Sequence, residues 1–383
     1  MNKQHIVALD YIRGLAMLGV IGIHTGAYSL SYPDSSPHLF ALFEIFTRFS
    51  VPIFFFVSAF GLFISQPLAA DFNYPAFMRR RFKSVLLPYL AWSILYMLHY
   101  TWISRDAGIW HLPTVYEYFF FGLASYQLYF LVILLWFYAL MPLWRQLTRL
   151  IVKAPATSLL ILLFGQIVFN YYSSYLLKTG FDNYYLNVAV QYRMNYWIFH
   201  YLFIFILGAV CAELYPQFQA ALERYRQRVT IFFTVTLGGM LLAYYYFIYF
   251  KQFSLEAAVN TVHQLSPIGV LYTVGATLFW FKLFSTPLSK WLSTLLNRMG
   301  EYSYLIYLVH PLVMYHLFAQ LTKASIPLTP SAAIAFYLVT LALSTGLALL
   351  ITRAGSLIPL VSLALTGSFP KQHLLRHKHN RTM

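Results

Sequence analysis

Charged residues are scarce in this sequence of 383 residues: they make up only 10% of it, against 60% hydrophobic and 20% aromatic residues. Soluble globular chains carry about a quarter charged residues, so this composition excludes a soluble fold as the main architecture. Acidic residues are rarer still, with 11 Asp and Glu against 26 Lys and Arg. The single cysteine, Cys211, excludes an intramolecular disulfide, and its apolar surroundings indicate a packing role.

The net charge of +15 does not indicate nucleic acid as a partner. The basic residues are spread over successive loops, and the sequence contains no recognisable nucleic-acid-binding module to hold them together. Anionic membrane lipid is the better partner for the C-terminal segment KQHLLRHKHNRTM. The histidines of this segment, His373, His377 and His379, raise adventitious metal binding as an alternative, but we favour a solvated tail and predict no metal site.

Long apolar stretches recur along nearly the whole chain. A membrane-spanning helix needs about 20 mostly apolar residues, and backbone amides in lipid must be satisfied within their own segment, which favours helices. We therefore predict an all-α, polytopic membrane helix bundle with about ten transmembrane helices. The expected spans are 9–28, 41–64, 84–104, 128–144, 157–176, 196–215, 230–250, 267–283, 302–321 and 332–352.

The distribution of Lys and Arg predicts cytoplasmic N- and C-termini. The positive-inside rule favours this orientation, because the cytoplasmic segments then receive most of the basic residues. They include Lys3, Arg13, Arg79, Arg80, Arg81, Lys83, Arg145, Arg149, Lys153, Arg224, Arg226, Arg228, Lys282, Lys290, Arg298, Arg353, Lys371, Arg376, Lys378 and Arg381. The opposite side receives Arg105, Lys178, Arg193, Lys251 and Lys323.

We divide the chain into two parts. A transmembrane domain covers residues 1–353, and a basic cytoplasmic tail covers 354–383, in which 355–369 is a short interfacial helix or a re-entrant piece. The first span resembles a signal peptide in length, yet it contains three ionisable side chains and lacks a small-residue cleavage site. It is therefore expected to be retained as the first helix.

The first span, LDYIRGLAMLGVIGIHTGAY, carries Arg13 and His24 on one stripe. Eleven residues at 100° each return to within about 20° of the same face, about 16 Å further along the helix. Asp10 lies one turn before Arg13 and is placed to orient it. A neutral imidazole is well suited to take a proton from a hydroxyl group, so His24 is a candidate general base. The alternative, a histidine bonded to a neighbouring helix, is equally compatible with the spacing.

Other ionisable residues at membrane depth are few, and each is a functional candidate. Glu44 and Arg48 are one turn apart and are expected to pair, either as a structural ion pair or as part of an acceptor site. His310 stands before Pro311, which removes a helix hydrogen bond and leaves a carbonyl free. Its role stays open between packing and function, whereas packing is favoured for His99 and His200.

A basic cluster opens the third span at its predicted cytoplasmic end. The string RRRFKSVLLPYLAW contains Arg79, Arg80, Arg81 and Lys83 within five residues. Arginine binds phosphate oxygens through paired hydrogen bonds. The cluster is either a topological anchor alone or a binding surface for a phosphate-rich cytosolic donor.

Five strings in this order resemble the acyltransferase-3 family of bacterial membrane acyltransferases along nearly the whole chain. They are LDYIRGLAMLGVIGIH, VPIFFFVSAF, RRRFKSVLLPYLAW, SYQLYFLVILLWFYALMP and EYSYLIYLVHPLV. The chain departs from the family pattern at Ala59, where the family usually has Gly, and at Gln127 and Tyr129, where it usually has His and Trp. The family's Arg-x-x-Arg motif maps either to Arg80 with Lys83 or to Arg81 with Ser84.

The resemblance implies that the chain moves an acyl group, commonly acetyl, from cytosolic acyl-CoA to a hydroxyl of a cell-envelope carbohydrate or lipid-linked glycan. His24 is then the catalytic residue, Arg13, Arg80, Arg81 and Lys83 contact the donor, and a supporting or acceptor-side group lies nearby. That group comprises Asp10, Glu44, Arg48, Tyr129 and His310. Acyl-CoA is a co-substrate, no bound cofactor is expected, and the location is the bacterial cytoplasmic membrane.

Two alternatives remain from the residues themselves. An exporter or flippase of a polysaccharide or lipid-linked sugar also needs many helices and few buried charges, but the chain lacks the internal repeats of many transporters. A membrane acyltransferase of another class, working through His310, is the second alternative. It differs in predicting that substitution of His310, and not of His24, abolishes activity.

Overall fold

The computed structural model describes residues 6–32, 36–355 and 357–369, and within these ranges its regular structure is entirely helical, as predicted. The α-helices are α1 (Val7–Ser29), α2 (Pro37–Phe40), α3 (Ser50–Ser65), α4 (Tyr74–Arg81), α5 (Leu87–Ser104), α6 (Leu112–Phe121), α7 (Tyr129–Ala139), α8 (Met141–Ile151), α9 (Pro155–Tyr171), α10 (Tyr184–Gln191), α11 (Arg193–Tyr196), α12 (Leu202–Glu213), α13 (Tyr215–Arg224), α14 (Arg226–Tyr249), α15 (Leu255–Thr261), α16 (Pro267–Phe284), α17 (Lys290–Lys323), α18 (Pro330–Ala354) and α19 (Pro359–Thr366). π-Helical turns occur at Ala41–Ile45, Phe82–Leu86 and Tyr172–Leu176, and 3-10 turns at Gly108–Trp110 and Ile198–Tyr201.

The described part of the chain contains 7 helices long and apolar enough to cross a membrane, or up to 9 if each of two bent pairs is one span. The continuous ones are Val7–Ser29, Pro37–Ser65, Pro155–Leu176, Arg226–Tyr249, Pro267–Phe284, Lys290–Lys323 and Pro330–Ala354. The bent pairs are α7 with α8, at 71°, and α12 with α13, at 101°. The chain is thus a multi-pass membrane protein with a helical bundle fold.

The predicted span 84–104 is helical but does not belong to this set. Its helix, α5, reads LPYLAWSILYMLHYTWIS, and its Tyr, Trp and His residues lower the mean hydropathy. The segment 355–369 contains α19, which at 8 residues is far shorter than the roughly 20 residues of a span. It packs against α5, where the Trp92 indole donates a hydrogen bond to the Leu365 carbonyl at 3.0 Å.

The helices differ in how much of their surface lies inside the bundle. In α1, 61% of the most apolar 18-residue stretch is buried inside the bundle, and in Pro37–Ser65 the share is 67%. It falls to 17% in Pro155–Leu176 and 22% in Pro330–Ala354, whose exposed apolar side chains suit contact with lipid. Helix α1 packs mainly against α17 and α3, and α3 packs against α12, where Cys211 is buried as predicted.

Several basic and histidine residues of the sequence analysis lie outside the described ranges. They are Lys3, Lys371, His373, Arg376, His377, Lys378, His379 and Arg381. The cytoplasmic location of both termini therefore stays a prediction. In the following description, the end of α1 that carries Arg13 is the one predicted to face the cytoplasm.

Candidate active site

Two glycines let α1 and α17 approach at backbone distance. A Cβ atom built on Gly14 would lie 2.3 Å from the Leu296 carbonyl oxygen, and one built on Gly300 would lie 2.2 Å from the Asp10 carbonyl oxygen. Any side chain at these two positions would force the helices apart. The close approach brings the polar stripe of α1 beside the late helix that contains His310.

The larger of two adjoining cavities lies at the Arg13 end of α1. Its volume is about 350 Å³, and it is lined from five helices by Arg13, Phe54, Val57, Ser58, Gly61, Leu62, Ser65, Arg81, Phe130, Leu134, Tyr138, Ser303, Tyr304 and Tyr307. Arg13 is held by Asp10, with 2.7 Å between Nη1 and Oδ1, which confirms the predicted contact. The Tyr304 hydroxyl is buried without a hydrogen-bond partner among the described residues.

Arg81 enters this cavity from the basic cluster. Its guanidinium carbon lies 5.2 Å from the ring centroids of both Phe77 and Tyr138, a cation–π arrangement that fixes the charge at the cavity wall. Tyr138 is itself within 3.1 Å of Ser58, oxygen to oxygen. The cavity therefore contains two cations, Arg13 and Arg81, together with several serine and tyrosine hydroxyl groups. This is the set of hydrogen-bond donors that an anionic phosphate ligand requires.

The other cations of the cluster lie elsewhere. Arg79, Arg80 and Lys83 line a shallow basic depression of about 480 Å³ together with Pro75 and Ala76. The four predicted donor contacts are thus split between two places, with Arg13 and Arg81 in the cavity and Arg80 and Lys83 in the depression. In the first alignment of the Arg-x-x-Arg motif, its two residues Arg80 and Lys83 line the same depression. Arg81, from the second alignment, instead lines the cavity that also contains Arg13.

His24 lines the second, smaller cavity, of about 60 Å³. The walls are formed by Val20, Ile23, His24, Arg48, Val51, Phe54, Gln127, Tyr129, Phe130, Gln264 and Tyr307. Three of these residues, Phe54, Phe130 and Tyr307, also line the larger cavity. The stripe predicted from Arg13 to His24 therefore runs past two cavities that share a wall.

Two aromatic side chains pack against the His24 ring. The Tyr126 ring centroid lies 4.4 Å away, and the His310 ring is stacked at 5.3 Å with an interplanar angle of 24°. His310 is fully buried, its Nδ1 lies 3.1 Å from the Ile306 carbonyl oxygen, and its Nε2 has no partner among the described residues. Pro311 does not interrupt α17, which continues through it. His24 lines a cavity, whereas His310 supports its ring from behind.

Glu44 and Arg48 form the predicted ion pair, at 2.8 Å. The pair lies at the π-turn and the irregular residues that follow it, before α3 begins, and this departure from regular helix turns Arg48 into the small cavity. The Arg48 Nη1 also donates to the Gln264 side-chain oxygen at 3.3 Å. Gly26 makes room for Glu44, since a Cβ there would lie 2.6 Å from the Glu44 Cγ.

The two remaining histidines of the sequence analysis, both assigned to packing, differ in burial. His200 is buried and within 2.8 Å of the Ser173 hydroxyl, which agrees with a packing role. His99, also assigned to packing, is half-buried, with its Nε2 3.0 Å from the Nε2 of His316. Neither residue lies against the two cavities described above.

Sequence reasoning missed several residues of the site. Tyr304 and Tyr307 lie in the string EYSYLIYLVHPLV, so their segment, though not their role, had been singled out. Tyr126 adjoins Gln127 in another such string. Gln264 lies between α15 and α16, and no sequence pattern singles it out, because its contact with Arg48 spans 216 residues.

Comparison with known proteins identifies the family of the chain. The sequence profile of the acyltransferase-3 family, described as an acyltransferase domain, matches residues 6–353. No curated protein and no solved structure matches the chain. The match spans both cavities and all the predicted site residues. It indicates an enzyme and not the exporter that the sequence analysis left as an alternative. The chain is a membrane acyltransferase that belongs to the acyltransferase-3 family.

Proposed function

We propose that this enzyme transfers a short acyl group, acetyl in the first instance, from cytosolic acyl-CoA to a hydroxyl of a cell-envelope carbohydrate or lipid-linked glycan at the bacterial cytoplasmic membrane. The observation that carries the proposal is the shared wall between a cavity lined by two arginines and a cavity lined by a histidine. A donor with a phosphate-rich end and a distant reactive end fits such a pair of cavities.

Arg13 and Arg81 are assigned to the donor phosphates. Both guanidinium groups line the larger cavity, and both are fixed there, one by Asp10 and the other by two aromatic rings. Arg80 and Lys83 extend the positive surface outside the cavity and attract the remaining phosphate of the donor. The acyl thioester then points toward His24, about 16 Å along α1 from Arg13.

His24 is assigned to the chemistry. As a general base, its imidazole takes the proton of the acceptor hydroxyl while that oxygen attacks the thioester carbonyl, and the C–S bond breaks to release CoA after protonation of the thiolate. In the alternative route, the imidazole nitrogen attacks the carbonyl first, CoA leaves, and the acceptor hydroxyl then displaces the histidine from the acyl-imidazole. Both routes yield an ester and free CoA.

Arg48 is assigned to the oxygen that becomes negative. It lines the His24 cavity, and its guanidinium is held by Glu44 and Gln264. A cation fixed beforehand where charge develops stabilises the tetrahedral intermediate without reorganisation. Tyr129 lines the same cavity and offers a hydroxyl to the acceptor.

Purified protein in lipid nanodiscs provides the test. Acetyl-CoA consumption and CoA release are measured with crude bacterial glycan or glycolipid as acceptor, for the wild type and for His24→Ala. The proposal requires turnover by the wild type that is lost in the variant although the variant remains monodisperse. Absence of both turnover and CoA binding in the wild type would overturn it.

A further inference from the structure

Three aromatic side chains form the wall between the two cavities. Phe54 of α3, Phe130 of α7 and Tyr307 of α17 line both of them, and we call this group the aromatic collar. The Phe54 and Phe130 ring centroids are 5.9 Å apart at 62°, and those of Phe130 and Tyr307 are 5.7 Å apart at 64°. Edge-to-face contacts at these distances close the space between the rings.

The members of the collar are not held equally. The Tyr307 hydroxyl donates a hydrogen bond to the Gln127 backbone oxygen, and Tyr307 is buried. Phe130 contacts both other members and also Phe55, whose ring centroid is 4.6 Å away. Phe54 contacts the collar through Phe130 alone among the ring pairs of the described residues and is half-buried. Phe54 is therefore the member that rotates most readily.

The volumes on the two sides of the collar differ widely. The Arg13 side offers about 350 Å³ and the His24 side about 60 Å³. Since one water needs about 10–15 Å³ of such cavity volume, the His24 side holds the equivalent of about four to six waters, close to the number of non-hydrogen atoms in an acetyl or propionyl thioester group. A longer chain extending past the thioester carbonyl meets the rings of the collar or the closed end of the small cavity.

We propose that the aromatic collar sets the length of the acyl group, and that the enzyme is selective for two- and three-carbon acyl donors because of Phe54, Phe130 and Tyr307. This inference rests on the proposed function, since it concerns the donor of that reaction. It adds the determinant of acyl selectivity and identifies Phe54 as the residue whose size limits passage. The collar acts on selectivity and takes no part in proton transfer.

A series of acyl-CoA donors tests the collar. The ratio of kcat/KM for butyryl-CoA to that for acetyl-CoA is measured in nanodiscs for the wild type, Phe54→Ala and the milder Phe54→Leu. One excess methylene in an apolar pocket changes kcat/KM by about tenfold or more, and butyryl exceeds propionyl by one. The wild-type ratio should therefore lie below about 0.1 and rise about tenfold in Phe54→Ala, with Phe54→Leu between them.

Phe137→Leu is the matched control. Phe137 is fully buried on α7, two turns after Phe130, but lines neither cavity, so its substitution should leave the ratio unchanged. A wild type that uses butyryl-CoA as well as acetyl-CoA, or active Phe54 variants with the wild-type ratio, would overturn the collar and leave the proposed function intact. A wild type inactive with every donor would instead overturn the proposed function and the collar with it.

Discussion

The imidazole rings of His24 and His310 are stacked, with centroids 5.3 Å apart, yet they are not equivalent. His24 lines the small cavity, while His310 is fully buried and its Nδ1 is within hydrogen-bond distance of the Ile306 carbonyl oxygen. Only His24 is thus placed to touch a substrate. This asymmetry turns the choice between the two histidines into an experiment.

Substitution of the two histidines should have unequal effects on acyl transfer. His24→Ala should lower kcat by about 10²- to 10⁴-fold, the usual contribution of a general base. His310→Gln should lower it by about tenfold or less, because the side chain only supports the His24 ring. Single-turnover kinetics with acetyl-CoA measures both. Loss of activity in His310→Gln with activity retained in His24→Ala would identify the other class of membrane acyltransferase chemistry.

Removal of either cavity arginine should weaken donor binding. Arg13→Gln and Arg81→Gln each remove a charge-assisted hydrogen bond to phosphate, worth about 1.5–3 kcal/mol, and should raise the Kd for acyl-CoA by about 10- to 100-fold. Calorimetry or equilibrium dialysis in nanodiscs gives the Kd. Arg228→Gln, on an exposed arginine of α14, is the control and should bind donor as the wild type does. Equal Kd values in all four proteins would place the donor elsewhere.

The glycines at positions 22 and 26 of α1 provide a matched pair. A Cβ at Gly26 would lie 2.6 Å from the Glu44 Cγ, whereas one at Gly22 would meet Phe43 at an ordinary 3.4 Å. Gly26→Ala should therefore displace Glu44, release Arg48 and destabilise the protein by about 1–3 kcal/mol. Gly22→Ala should be neutral or stabilising, since alanine favours the helix by about 1 kcal/mol. Thermal unfolding in detergent, with acyl transfer measured in parallel, distinguishes the two variants. Equal melting temperatures and equal activities in Gly22→Ala and Gly26→Ala would show that Glu44 has no role in the site.

Arg145 should be a structural residue that acts on the donor cavity from a distance. It is buried and donates to the backbone oxygens of Gln66, Pro67 and Ala70 at 2.7, 2.9 and 3.2 Å, in the loop that leads to α4 and Arg81. Arg145→Met leaves these carbonyls unpaired and should cost about 3 kcal/mol.

The test of Arg145 combines stability with donor affinity. The melting temperature should fall and the KM for acyl-CoA should rise in Arg145→Met. Arg149→Met is the control, because Arg149 is exposed and makes a single bond of 3.3 Å to Leu68. An unchanged melting temperature in Arg145→Met would show that the loop is held by other contacts.

The predicted orientation can be measured by labelling. Asp182 and Asp71 are both exposed and lie in loops on opposite sides of the predicted topology. With the buried Cys211 as the native background, a membrane-impermeant maleimide should label Asp182→Cys in intact cells and Asp71→Cys only after lysis. The reverse pattern would place both termini outside.

The local parts of the site were predictable, and its long-range parts were not. Asp10 with Arg13 and Glu44 with Arg48 are helix neighbours, so their spacing alone predicts the pairs. The choice among consecutive arginines was out of reach, because only the packing of Phe77 and Tyr138 decides that Arg81 enters the cavity.

The number of spans shows a second limit of the sequence. The predicted spans 128–144 and 196–215 become bent pairs, because a proline follows the first residue of α8 and of α13 and begins a new helix in another direction. The predicted span 84–104 forms a helix, α5, but this helix is not apolar enough to be counted among the membrane-spanning ones. Hydropathy therefore predicts helix existence well and helix direction poorly.

The aromatic collar also bears on the electrical integrity of the membrane. Under the proposed function, a water-soluble donor enters from one side of the membrane and the acceptor from the other, so the two cavities together would form an interrupted pore. An apolar constriction excludes hydrated ions by dewetting, and the rings of Phe54, Phe130 and Tyr307 place such a constriction between the two cavities. The collar would thus let an acyl group pass between the two cavities while the ion gradient across the membrane is preserved.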